Sequence, residues 1–122
     1  MEVREINGIR ALFYPAEGTQ FRTDRDAVGL LGVAFENKVS LIVLPATRLD
    51  PDFFRLNTRL AGEFIEKFVN YRVRLAVVGD ISEQVHESTA LRDFVRESNR
   101  GRDVWFVNDL EQLELRLREE HT

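Results

Sequence analysis

The stretch "RLAVVGDIS", Arg74 to Ser82, decides how the chain is read. Its apolar residues run without interruption and stop at Gly-Asp, with a hydroxyl two positions later. A short unbroken apolar run bounded by turn residues marks a strand buried on both faces, as in a parallel sheet covered by helices. "SLIVLP" (Ser40–Pro45) and "VWFV" (Val104–Val107) are runs of the same kind.

Outward from these strands the pattern changes period. In "EVREINGIRALFY" (Glu2–Tyr14), Asn7-Gly8 lies between two β-prone runs. Both residues tolerate the positive φ of a type I′ turn, which predicts an antiparallel hairpin. Thr23 and Asp26 have capping-box spacing, and Ala27, Val28, Leu31, Ala34 and Phe35 then repeat at helical intervals. Leu30 and Val33 fall outside that stripe, so this helix is expected to be covered on two sides, with a second subunit as one candidate cover. Asp50-Pro51 reads as a cap and a first-turn proline, opening a short turn or helix through Phe53 and Phe54. Leu60, Ala61, Phe64, Ile65 and Phe68 mark one face of the next helix. On it Glu63 and Lys67 are spaced to pair, and Gly62 is expected to permit close helix–sheet approach. "ISEQVHESTA" reads as a loop leading to a helix that carries Leu91, Phe94 and Val95 and ends at Gly101. Asp109 and Gln112 cap a last helix, with Leu110, Leu113 and Leu117 expected to face inward.

Hairpin, then helix and strand three times, then helix: this order predicts one α/β domain over residues 1–122. Its sheet is mostly parallel, with right-handed crossovers and an antiparallel edge. A chain of 122 residues suits one domain and one core. The absence of cysteine excludes a disulfide scaffold, a thiolate metal site and a cysteine nucleophile, and points to a reducing compartment. Seventeen basic against 21 acidic residues give a net charge of -4, which argues against nucleic acid and anionic lipid as partners. The longest apolar run, Ala27 to Phe35, is far shorter than the roughly 20 residues of a membrane span. The short acidic N-terminus lacks a signal-peptide pattern, so a cytoplasmic protein is expected.

Parallel sheets bind ligands beyond the carboxyl ends of their strands. That rule gathers Thr47, Arg48, Asp80, Ser82 and Asn108 into a candidate ligand crevice. No phosphate loop is present, because after Gly79 the next glycine is Gly101 and Asp80 would repel an anion. The plainer reading is that Gly79 turns the chain while Asp80 or Ser82 bonds free amides. His86, in an expected loop, and His121 have no metal-ligand spacing. No cofactor motif, nucleophile elbow or acid–base pair can be named, so no catalytic residue is assigned. Arg92, Arg96 and Arg100 draw a basic stripe beside Asp93 and Glu97, read either as a solvated face or as a dock for an acidic partner.

The segments "DPDFFRLNTRLAGEFIEKFVNYRVRLAVVGDIS" and "ALRDFVRESNRGRDVWFV" resemble the bacterial domain-of-unknown-function family 4180. The likeness rests on Asp52, Phe53 and Phe54; Leu60, Ala61, Gly62 and Glu63; Asn70, Tyr71, Gly79 and Asp80; and Leu91, Arg92, Phe94, Glu97, Ser98, Asn99 and Gly101. Element order and the "RLAVVGD" strand also resemble, more distantly, the STAS fold of SpoIIAA-like anti-sigma-factor antagonists. That second resemblance implies a protein partner and a phosphorylatable hydroxyl at a helix start. The Asp-Ser-Ser type of signature is absent here, which leaves Thr58 first, as switch or as plain helix cap, and Thr47 second.

The expectation is a non-catalytic regulatory or protein-interaction domain, with an unidentified protein partner or a second copy of itself. Its surface would comprise Asp52, Phe53, Phe54, Asn57, Thr58, Arg92, Arg96 and Arg100. The alternative is a binder of a lipophilic or anionic small molecule in the crevice.

Overall fold

Asn7 and Gly8 adopt φ values of 55° and 83°, and fold β1 (Glu2–Ile6) back on β2 (Ile9–Phe13) with Ile6 opposite Ile9. The computed structural model describes residues 1–120, so His121 lies outside the described residues. After the hairpin come α1 (Asp24–Asn37), β3 (Leu41–Pro45), α2 (Leu60–Tyr71) and β4 (Arg74–Val78). The short α3 (Ser82–Glu87), then α4 (Thr89–Arg100), β5 (Val104–Val107) and α5 (Leu110–Glu119) complete the order. The five strands lie in chain order, β1-β2-β3-β4-β5, antiparallel at the first pair and parallel at the rest. The expected α/β class with an antiparallel edge is the observed one.

Period-two alternation sorts the strands' side chains between two cores. Ile42, Leu44, Leu75, Val77, Val104 and Phe106 meet α1, α2 and α4 on one face. Leu41, Val43, Ala76, Trp105 and Val107 meet Leu113 and Leu117 of α5 on the other. Among the described residues, no helix is long and apolar enough to cross a membrane.

Most local expectations hold in atomic detail. Thr23 and Asp26 exchange both capping-box bonds. Asp50 accepts from the Asp52 amide ahead of a 3-10 turn at Pro51–Phe54, and Asp109 accepts from the Gln112 amide to start α5.

Four differ. The buried stripe of α1 is Ala27, Leu30, Leu31 and Ala34, leaving Val28 50% and Phe35 54% exposed. The apolar arc of this helix is broad enough for two overlapping stripes, and the one carrying both leucines is sealed. Residues 82–87, expected as loop, form α3, which places His86 on a helix. Leu110 stays exposed in the first turn of α5. Gly62 faces open space and mediates no close approach, nor do Glu63 and Lys67 form an ion pair among the described residues. Gly29 and Gly32 of α1 also face open space. Each such helical glycine costs about 0.5–1 kcal/mol relative to alanine.

The second core has one covering helix, and charged groups complete it. Arg74 grips Glu120 with two bonds of 3.1 and 2.7 Å, and Arg102 adds a third at 3.2 Å. The Arg74 and Arg116 guanidinium carbons lie 4.5 and 4.2 Å from the Trp105 ring centre. Burial alone would raise the Glu120 carboxyl, but the hydrogen bonds and charges of Arg74 and Arg102 outweigh it and hold its pKa below the ordinary glutamate value. The folded value is thus the lower one. The stabilisation is complete above the unfolded carboxyl's pKa of about 4.3 and is lost as pH falls through the folded value. Urea unfolding at stepped pH should show Glu120→Gln destabilising at neutral pH, with the gap to the parent closing as the pH falls below the unfolded carboxyl's range. A gap that stays constant with pH would contradict this assignment.

Candidate functional site

The carboxyl ends of β3 and β4 are pressed together. Gly79 has φ 150°, and a Cβ there would sit 2.9 Å from the Cβ of Ala46. Only glycine suits both the conformation and the space. Its amide donates to the Val107 carbonyl at 2.9 Å, carrying the ladder one residue past β4. Asp80 then accepts from the Ser82 amide at 2.9 Å. Hydrogen bonds from the Ser82 hydroxyl and amide hold its carboxyl below the ordinary aspartate range. This is the turn chemistry expected of a short acidic side chain after a glycine.

Beyond these ends lies an open groove of about 740 Å³. One wall is the long connection after β3, with 3-10 turns at Ala46–Arg48, Pro51–Phe54 and Leu56–Thr58. The other is α3 with the start of α4, contributing Gln84, Glu87, Ser88 and Ala90. Leu49 and Phe54 give it an apolar floor. Of its polar groups, Thr47 donates to the Ala16 carbonyl and Ser88 accepts from the Leu91 amide. Arg55 is bound to Asp52 at 2.7 Å. The side chains of Asn57, Gln84 and Glu87 line the groove without a hydrogen bond to the rest of the described chain. Asp80 and Glu87 leave it with an acidic character.

Of the candidate crevice, the structure brings Thr47 and Asp80 into this groove; Arg48, Ser82 and Asn108 do not line it. Arg48 is only 7% exposed and turns inward. Its guanidinium donates to the carbonyls of Thr19, Pro15 and Glu17 at 2.9, 3.0 and 3.3 Å, and its carbon lies 4.9 Å from the Phe21 ring centre. It thereby pins the 15–21 loop, whose Phe21 bridges Leu49 beyond the sheet. The Tyr14 hydroxyl beside it is raised by burial, an effect partly countered by the Arg48 charge. Asn108 uses its amide to bind the Gln112 side chain at 2.8 Å, at the start of α5.

The candidate interaction surface is likewise divided. Asn57 lines the groove, and Asp52 bridges Arg55 and Arg22, the latter at 3.4 Å. Phe53 and Phe54 are 1% and 6% exposed and belong to the core, Phe54 also reaching the groove floor, so the pair forms no outer contact patch. Their rings stack edge-on with each other and, through Phe53, with Phe64, and this aromatic packing is why they lie inside. The Thr58 hydroxyl donates toward the Asp52 and Arg55 carbonyls and accepts from the Leu60 amide. Arg59, in the left-handed region, holds the N-cap position of α2 without a side-chain cap bond, so the hydroxyl that receives a first-turn amide is that of Thr58, as the plain-cap reading expects. Arg92, Arg96 and Arg100 are exposed along α4, with Arg92 3.9 Å from Asp93 and Arg100 3.5 Å from Glu97. Such exposed pairs contribute tenths of a kcal/mol. Among the described residues, no cluster of His, Cys, Asp or Glu could hold a metal ion.

Residues 6–117 match the sequence model of the family described as Domain of unknown function (DUF4180). The chain belongs to the DUF4180 family. Neither the curated proteins nor the solved structures give a match.

In this DUF4180 domain, several residues that carry the family resemblance have clear structural work. Besides Gly79, Asp80, Phe53 and Phe54, Asn99 accepts from the Phe106 amide at 2.7 Å and donates to its carbonyl at 3.1 Å. It thereby satisfies edge strand β5 as a neighbouring strand would. Sequence reasoning missed this bracket, and it missed Gln84, Glu87 and Ala90, because residues 82–90 carry no apolar period that would place them.

Replacing Arg48 by methionine, of similar length, leaves three loop carbonyls without their donor. Equilibrium urea unfolding should give a loss of about 2–4 kcal/mol, against about 0.5 kcal/mol or less for Arg55→Met at the exposed groove rim. Equal losses would mean that Arg48 does not pin the loop.

Proposed function

We propose that this DUF4180 domain is a binding module whose groove takes a short, extended, neutral-to-basic peptide segment of a partner protein. The observation that carries the reading is the set of side chains left unengaged there. Asn57, Gln84 and Glu87 offer donors and acceptors above an apolar floor of Leu49 and Phe54, the combination that holds a peptide backbone and one apolar side chain. The groove is open, which suits a chain passing through it better than an enclosed small molecule. Charge selects further. Among the described residues neither Asp80 nor Glu87 forms an ion pair, and Arg55, the cation on the facing wall, is tied to Asp52. An anionic ligand would therefore be repelled.

A regulatory role of the STAS kind is supported by the element order alone, a hairpin followed by alternating helices and strands. The engagement of the Thr58 hydroxyl on both sides weighs against a phosphorylation switch at that position. A phosphate there would remove the proton that donates toward the Asp52 and Arg55 carbonyls.

Two-dimensional ¹⁵N–¹H spectra test the groove, using one hexapeptide pool built from Lys, Leu and Gly and another from Glu, Leu and Gly. The basic pool should move the amides of Thr47, Asn57, Asp80 and Gln84, and the acidic pool should not. Ala90→Trp should fill the groove and weaken binding at least tenfold with the thermal melt unchanged. Shifts scattered outside the groove, or binding indifferent to Ala90→Trp, would defeat the proposal.

A further inference from the structure

The outer face of α1 presents apolar groups to solvent. Val28 and Phe35 are 50% and 54% exposed, and Phe35 stands edge-on to Tyr71, itself 54% exposed, with ring centres 6.2 Å apart. Between Val28 and Phe35 the helix carries Gly29 and Gly32, which open onto empty space and have no packing reason within the chain. Each weakens the helix, and neither is in a left-handed conformation that would need glycine.

Charge on this face has a two-fold order. Arg25 and Glu36 are exposed near opposite ends of α1, and neither has an ion-pair partner within the described chain. The pairs Arg25/Glu36 and Gly29/Gly32 share one midpoint, between Leu30 and Leu31. Asp24 and Lys38 stand just outside, again opposite in sign. An antiparallel second copy of the helix centred on that midpoint sets each Arg25 against the partner's Glu36. Glycine meets glycine where the axes cross, and Phe35 is carried toward the partner's Val28.

We infer that the chain self-associates as an isologous two-fold dimer through α1, crossing at Gly29 and Gly32 and closed at both ends by reciprocal Arg25–Glu36 pairs. A single helix pair flanked by two aromatics is a small interface, so the dimer is weak and concentration-dependent. The inference is independent of the groove, with which it shares no residue.

Sedimentation equilibrium from about 1 to 500 µM tests it, with the mass expected to climb from 14.2 kDa toward twice that value. Arg25→Glu and Glu36→Arg should each weaken association at least tenfold by placing like charges opposite one another. The double variant should restore it, because the exchanged charges face each other again across the two-fold axis. Gly32→Gln should abolish association by holding the helices apart, while circular dichroism shows the fold intact. A constant 14.2 kDa at every concentration would overturn the inference. So would a dimer indifferent to Gly32→Gln, or a double variant no better than either single one.

Discussion

A sheet whose inner strands are apolar on both faces must be covered twice, and the crossovers of this chain cover it once. The strands succeed one another in order, so every crossover steps the same way. Right-handed connections that step the same way land on the same face. That is why α1, α2 and α4 share one core. The opposite face depends on the segment after β5. Ten residues of α5 bring Leu113 and Leu117 to its centre. Arginines finish the margin, Arg74 and Arg116 over Trp105 and Arg4 4.0 Å from the Phe13 ring centre. Long cationic side chains can do this because their stems are apolar and their heads are attracted to ring faces.

The same strand order fixes where a ligand can sit. Neighbouring strands whose outgoing helices leave to opposite faces make the usual crevice, and here those are β4 and β5. That junction is taken up by the chain itself, through the Gly79 amide on the Val107 carbonyl and the Gln112 cap on Asn108. The groove opens one strand over. It exists because the segment after β3 does not enter its helix directly, but runs through three 3-10 turns before Leu60. The length of that connection builds one wall, and α3 builds the other.

Wherever a residue type does one job at one spacing, the sequence was readable. Asn7-Gly8, the Thr23/Asp26 box, the Asp50-Pro51 start and the Asp109/Gln112 cap depend on contacts within a few residues, and all form as expected. The exposed side of α1 was harder, because apolar residues surround more than half of that helix and the choice between Val28 and Leu30 is made by the sheet. Arg48 was illegible for a related reason. Its partners are the carbonyls of Pro15, Glu17 and Thr19, some thirty residues earlier, and backbone acceptors leave no trace in residue type. Asn99 stands seven residues from Phe106, yet it too binds backbone.

The distinction between engaged and unengaged polar groups therefore carries the functional argument. By residue type, Arg48, Thr58 and Asp80 look as ready for a ligand as Asn57, Gln84 and Glu87. Arg48 and Thr58 are committed to holding connections in place, and Asp80 is partly committed to its own turn. The second three are held on a frame those bonds make rigid, and a rigid frame lowers the entropy lost when a flexible segment binds. The groove and the outer face of α1 share no residue, so occupation of one leaves the other free. The proposed two-fold dimer would consequently present two grooves at a fixed separation. For a partner carrying two copies of a weakly held segment, the second contact would then form at high effective concentration, and avidity would supply what a single open groove lacks.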